Sequence, residues 1–163
     1  MSRWLVGRNV LISFLVLIGL ILFAFVALGI TSHYTTPDVG MVDGKLKDCP
    51  GNPNCVCSES YAGTDAGHQI PPVKLNGKNI ETPLKLLRQA VIDQGGAIIT
   101  EREDYLHAEF TSSIFRFVDD LELRMDRQKG VIHLRSASRV GRSDLGANRK
   151  RIEAIWHSLG EAD

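Results

Sequence analysis

Phe117-Val-Asp-Asp-Leu-Glu-Leu-Arg-Met125, the turn Asp126-Arg-Gln-Lys-Gly130 and Val131-Ile-His-Leu-Arg-Ser-Ala-Ser138 form the stretch that decides the fold. In both outer segments apolar and polar residues alternate, the period that lays one side of a strand on a core. Leu121, Leu123 and Met125 must share a side with Ile132 and Leu134. A four-residue loop from Arg127 to Gly130 meets that demand and sets Met125 opposite Ile132 and Leu123 opposite Leu134. The same register puts Asp119 opposite Ser138 on the apolar side and Glu122 opposite Arg135 on the other, where a cross-strand ion pair can form. Upstream, Ala97 to Thr100 and Tyr105 to Ser112 repeat the alternation, so four strands in a meander are expected.

Helical periods flank the meander. Leu84, Leu87, Ala90 and Val91 share a stripe, with Thr82 as cap, Pro83 at the first helical position and Gly95-Gly96 as stop. After the meander, a helix capped by Ser143 or Asp144 is expected to bury Leu145, Ile152, Ile155, Trp156 and Leu159. Asn148 falls on that stripe and needs hydrogen-bond partners, which the nearby loop Arg139 to Arg142 is placed to supply. Helix, four strands, helix makes an α+β fold, a four-stranded antiparallel sheet covered by two helices.

The N-terminus has a different chemistry. From Val10 to Ile30 no residue is charged, and as a helix the run is about 31 Å long, one bilayer core. Arg3 and Arg8 precede it without an acid, which by the positive-inside bias keeps residues 1–9 in the cytoplasm and sends the remainder outward. Ala27-Leu28-Gly29 offers a signal peptidase small residues, so a cleaved signal competes with a retained anchor; the length of the run favours the anchor. The expected organisation is a cytoplasmic N-terminus (1–9), a transmembrane anchor (10–30), a linker (31–48) and an extracytoplasmic domain (49–163). The expected location is the inner membrane with the domain in the periplasm.

Composition excludes several function classes. Beyond the apolar run stand 17 basic and 19 acidic residues, and this near-neutral balance gives no field to recruit nucleic acid. Charge is uneven, with acids concentrated from Glu101 to Gln128 and bases from Arg135 to Arg151. Cys49, Cys55 and Cys57 lie in a Gly/Pro/Asn-rich loop in what would be an oxidising compartment. A Cys49–Cys55 bridge closes a seven-residue ring worth about 2.4 kcal/mol if unstrained. The cysteines with His68 lack paired zinc spacing, no Cys-x-x-Cys-His haem motif occurs, and neither metal nor cofactor is expected. His33, His107 and His157 read as isolated surface residues.

Cys49-Pro50, Pro53-Asn54-Cys55-Val56, Phe117-Val-Asp119-Asp120 and the long block Arg135-Ser-Ala-Ser-Arg139-Val-Gly141-Arg-Ser-Asp144-Leu-Gly146-Ala-Asn148-Arg149-Lys-Arg151 together resemble the bacterial and plant-plastid family called domain of unknown function 1499, from Asp48 to Leu159. The resemblance implies no activity. Where the family reads Pro-Asn-Cys-Val-Ser-Ser this chain carries Cys57, which makes Cys57 an extra thiol and implies Cys49 and Cys55 as the pair.

Two site chemistries follow. Arg135, Arg139, Arg142 and Arg149, with Asp144, Asn148 and the backbone N–H groups of the last helix, form a candidate cradle for an anion or partner. Against it, Asp144 as a cap fills the positive helix end, and Arg135 and Arg139 can instead clamp Glu122, Asp119 or Asp120. Asp119 and Asp120 point to opposite faces of one strand, so with Ser136 and Ser138 they read as a structural network and not a catalytic pair. The expected function is a non-catalytic binding or structural envelope protein, its partners the membrane and an anionic envelope component or another envelope protein. The alternative is a hydrolase-like envelope enzyme built on Asp119, Ser138 and Arg139, although no Gly-x-Ser-x-Gly elbow is present.

Overall fold

A computed structural model describes residues 2–59, 66–75 and 83–160. Its elements are α1 (Ser2–Tyr34), the two-residue strands β1 (Met41–Val42) and β2 (Lys45–Leu46), β3 (Cys55–Cys57), a 3-10 turn (Ala66–His68), β4 (Val73–Lys74), α2 (Pro83–Asp93), β5 (Ala97–Arg102), β6 (Tyr105–Thr111), β7 (Val118–Asp126), β8 (Val131–Ser138) and α3 (Ala147–Gly160). The fold is α+β, with one N-terminal apolar helix and an antiparallel sheet.

The meander stands as expected, and β7 pairs β8 with Asp119 opposite Ser138, Leu123 opposite Leu134 and Met125 opposite Ile132. The sheet is wider than the expected four strands. Among the described residues it has six, in the order β3-β8-β7-β6-β5, with β4 also pairing β8. β3 and β4 share the outer edge of β8, Cys55–Cys57 against Arg135–Ala137 and Val73–Lys74 against Val131–Ile132. Two half-strands thereby cover an edge that would otherwise expose unpaired N–H and C=O groups. At the opposite edge a register shift between Ile98 and Thr100 leaves Ile99 unpaired and half exposed.

α2 and α3 cover one face, burying Leu84, Leu87 and Val91, then Ile152 and Ile155, on Leu106, Leu121, Leu123, Ile132 and Leu134. Each such side chain contributes about 1.5–3 kcal/mol by leaving water. The expected cap Thr82 and the side chain of Leu159 lie outside the described residues. α3 departs from expectation at its start. Asp144 accepts the Gly146 N–H on Oδ1 (3.0 Å) and the Asn148 N–H on Oδ2 (2.8 Å). To bring both donors onto one carboxylate the chain turns left-handed at Leu145 (φ 55°) and Gly146 (φ 80°), so the helix begins at Ala147 and Leu145 swings outward, 87% exposed instead of buried.

The second face of the sheet is covered too. The β1–β2 hairpin and the Cys loop lie over it, with Leu46, Cys49, Cys55, Cys57, Tyr105 and Ala137 forming a small buried cluster. Cys49 and Cys55 are disulfide-bonded, and Cys57 keeps its thiol, buried, near the Lys47 carbonyl. Residues 38–48 thus lie along the sheet: the Gly40 N–H donates to Glu122 (2.6 Å) and the Leu46 N–H to Glu59 (2.8 Å). α1 is long and apolar enough from Val6 to Tyr34 to cross a membrane. Its last turns dock on the β6–β7 loop, where the buried Ser32 hydroxyl accepts the Val118 N–H (3.1 Å).

Candidate functional site

Strand alternation sends Tyr105, His107, Glu109, Asp120, Glu122, Arg124, His133 and Arg135 to the face away from the helices. On an open sheet that face would be wet. Here it is covered, and buried charge must find partners. Glu122, fully buried, accepts from Arg135 (2.9 Å) and from the Tyr105 hydroxyl (2.7 Å). Arg135 also donates to the Asp38 carbonyl (2.9 Å). Arg139 grips Asp120 with two N–H groups (2.8 and 2.7 Å) and pairs with Glu109, while His107 Nε2 lies 2.7 Å from Asp120. Arg124 holds Glu59 in the same two-pronged way (3.0 and 2.6 Å).

Titration follows this pairing. Burial raises the Asp120 carboxyl, but the bonds from Arg139 and His107 outweigh it and hold Asp120 below its ordinary range. Glu59 is likewise raised by burial and lowered further by Arg124 and the Leu46 N–H. Burial, reinforced by the bond to Glu122, pushes the Tyr105 phenol up. His133 is pushed down by burial, against the pull of Glu59. The Ser58 hydroxyl accepts the Leu134 N–H (2.9 Å) and so has its proton for His133 Nδ1 (3.1 Å), which suits a neutral imidazole.

Three of these shifts, all but that of Tyr105, share one sign. Folded-state values of His133, Asp120 and Glu59 lie below their unfolded ones, so their stability is fully present above the unfolded values and is lost as pH falls. Thermal unfolding of the full chain in detergent should show Tm declining below the unfolded His value of 6.5 and more steeply below the carboxylate values near 4. His133→Gln should flatten the first part only. A Tm constant from pH 8 to about 5 would contradict the role of His133.

The helix face carries a second polar network. Asn148, fully buried, accepts from the Ser136 hydroxyl (2.6 Å) and from Arg151, and donates to the Asn54 carbonyl (2.9 Å) and Ser138 Oγ (3.0 Å). These partners correct the expectation that loop 139–142 would satisfy it; that loop is held instead by the Asn54 side chain, which donates to the Gly141 carbonyl (2.8 Å). Asp119 is paired with Arg151 (2.7 Å), whose guanidinium lies 4.5 Å from the Phe110 ring centroid.

The residues singled out from the sequence therefore divide. Asp119, Ser136, Ser138 and Asn148 meet under α3, whereas Asp120, Arg135 and Arg139 meet on the opposite face. Asp119, Ser138 and Arg139 do not converge on one point. Arg142 is exposed, Asp144 caps α3, and Arg149 is tied to the Gly67 and Gln69 carbonyls (both 2.9 Å). His107 is not a surface residue but 4% exposed, and its partner could have been found by working out the β6–β7 register as well as the β7–β8 one. Glu59, Arg124, Glu109 and Arg151 were also missed. Ligand atoms of His107, Glu109 and Asp120 lie within 4.8 Å of one another. Arg139 donates to both carboxylates, so its guanidinium already supplies the cation that this trio calls for.

Next to this network opens a cleft of about 240 Å³. Arg135 and Arg139 line it beside the acids Asp38 and Asp120, with Asn52 of the Cys loop, and Thr35 and Thr36 where the chain leaves α1. Arg135 is 2% exposed, and its Nε has no hydrogen-bond partner among the described residues.

Fold and site together define an α+β domain joined to an apolar helix, with a polar cleft at the junction and a sheet face whose charges neutralise one another. The family model described as a protein of unknown function, DUF1499, matches residues 45–159, and the chain belongs to that family. No curated protein and no solved structure matches it.

Proposed function

We propose that this chain is a single-pass inner-membrane protein, N-terminus in the cytoplasm and domain in the periplasm, acting as a non-catalytic binding domain of the cell envelope. The observation that carries the binding role is the cleft: it adjoins the end of α1 at Thr35 and Thr36, and it is lined by a buried arginine with an unused donor. A phosphate or carboxylate of an envelope component would accept from the Arg135 side chain and from Asn52 and the threonines. Arg3 and Arg8 before the apolar run, and the Cys49–Cys55 bridge beyond it, support the orientation. The separation of Asp119 from Arg139 across the sheet weighs against the hydrolase-like alternative.

Titration of the full chain in neutral-lipid nanodiscs with glycerol 3-phosphate tests the cleft. Tm should rise, the rise should shrink at high salt, and Asn52→Trp, which fills the cleft, should abolish it. No rise, or an equal rise in Asn52→Trp, would overturn this binding site.

A further inference from the structure

The turn between β6 and β7 reads Ser112-Ser-Ile-Phe-Arg-Phe117, and it rests on the flank of α1. The backbones meet at Gly29, where a Cβ would lie 1.7 Å from the Phe115 carbonyl oxygen. One turn further down α1, the Phe115 ring stacks 4.9 Å from Phe25, and Phe117 stands edge-on to Phe25 at 6.3 Å. The turn is closed by its own bonds, Ser112 N–H to the Phe117 carbonyl (2.8 Å) and Phe117 N–H to Ser112 Oγ (2.8 Å). At its tip Ile114 is 79% exposed.

Depth along α1 decides what meets that isoleucine. The uncharged run ends at Ile30, and Phe25 lies five residues inside it, about 7–8 Å along the axis. A ring held beside Phe25 is therefore at hydrocarbon depth whenever the helix spans a bilayer. We propose that the β6–β7 turn inserts Ile114 and Phe115 among the acyl chains of the outer leaflet, as a second membrane contact that fixes the domain's orientation on the bilayer. This rests on the anchored reading above. Arg116, exposed beside them, has the reach to bring its guanidinium back to the headgroup phosphates. Two contacts fix a tilt that one helix leaves free. The cleft bordered by Thr35 and Thr36 is then held at a set height at the headgroups.

The test uses the full chain in nanodiscs with an environment-sensitive fluorophore on single cysteines in a Cys57→Ser background, read by quenching from brominated acyl chains. Leu20→Cys marks mid-span and Lys129→Cys the far turn of the domain. The proposal expects quenching at Ile114→Cys within about twofold of that at Leu20→Cys, and none at Lys129→Cys. Quenching at Leu20→Cys alone would leave the anchor standing and overturn the insertion. No quenching at Leu20→Cys would instead remove the anchor itself. Protection of Ile114→Cys from both lipid and aqueous quenchers would mean that protein covers the turn, and would also overturn the proposal. Should Cys57→Ser fail to fold, benzoylphenylalanine at position 114 of the otherwise native chain gives the same decision: phospholipid adducts support insertion, and protein adducts or none oppose it.

Discussion

Arg135→Met is expected to lower the unfolding free energy by about 3–5 kcal/mol, among the largest effects of any single substitution in this chain. The cause lies in what stays behind. Glu122 is fully buried and keeps the Tyr105 hydroxyl and the Gly40 N–H, but loses the only guanidinium bonded to it among the described residues. An uncompensated buried carboxylate is far more costly than the pair it came from. Glu122→Gln/Arg135→Met keeps an acceptor for Tyr105 and Gly40 without the charge, and should recover about half of the loss or more. Urea unfolding of the full chain in detergent, followed by circular dichroism, measures both. A double variant as unstable as the single one would show that the packing of Arg135, and not its charge, is what matters.

Asn148→Ala is expected to be nearly as damaging, at about 3 kcal/mol, because one amide joins three elements. Its oxygen serves Ser136 and Arg151, its nitrogen the Asn54 carbonyl and Ser138. With alanine the buried Ser136 hydroxyl loses its acceptor, and α3 loses the amide bonds to the Asn54 carbonyl and Ser138, while Arg151 still donates to Ser136 (3.0 Å). Asn148→Asp preserves size and the Ser136 acceptor, yet it turns an oxygen toward the Asn54 carbonyl. It should therefore also destabilise in the same unfolding assay. A tolerated aspartate would show that volume alone holds this junction.

Much of the sheet was legible in the sequence, for a specific reason. In the β7–β8 hairpin the alternation fixed the faces and the turn length fixed the register, and those two facts together gave the Glu122–Arg135 pair. The helices were legible from the stripes Leu84 to Val91 and Ile152 to Ile155. What failed was what periodicity does not encode. Cys55–Cys57 and Val73–Lys74 are too short to show alternation, and their pairing is set by the edge of β8. Leu145 fits the helical stripe by number, but the two hydrogen bonds that the Asp144 carboxylate accepts from Gly146 and Asn148 demand a left-handed entry that throws it outward.

The candidate site was harder to read for a related reason. Arg135, Arg139 and Asp120 were recognisable as paired groups, but His107 and Glu109 join them only through the neighbouring β6. The covering of the second face by residues 38–48 was not visible at all, since that segment has no apolar period and is held mainly by single bonds such as Gly40 to Glu122. That cover is what turns surface charges into a buried network. It also explains why charge-bearing residues on this face serve the fold, while the cleft beside α1 keeps about 240 Å³ open next to them.

A domain lying outside the cytosol is the premise of both the binding role and the membrane contact, and the state of the thiols in living cells tests it directly. Full-length chain produced in a bacterial cell, quenched in acid, denatured and treated with a maleimide of high mass should gain a single adduct, on Cys57, and three adducts only after reduction. Three adducts without reductant would contradict the account, because Cys49 and Cys55 would then be reduced in the compartment where the domain resides.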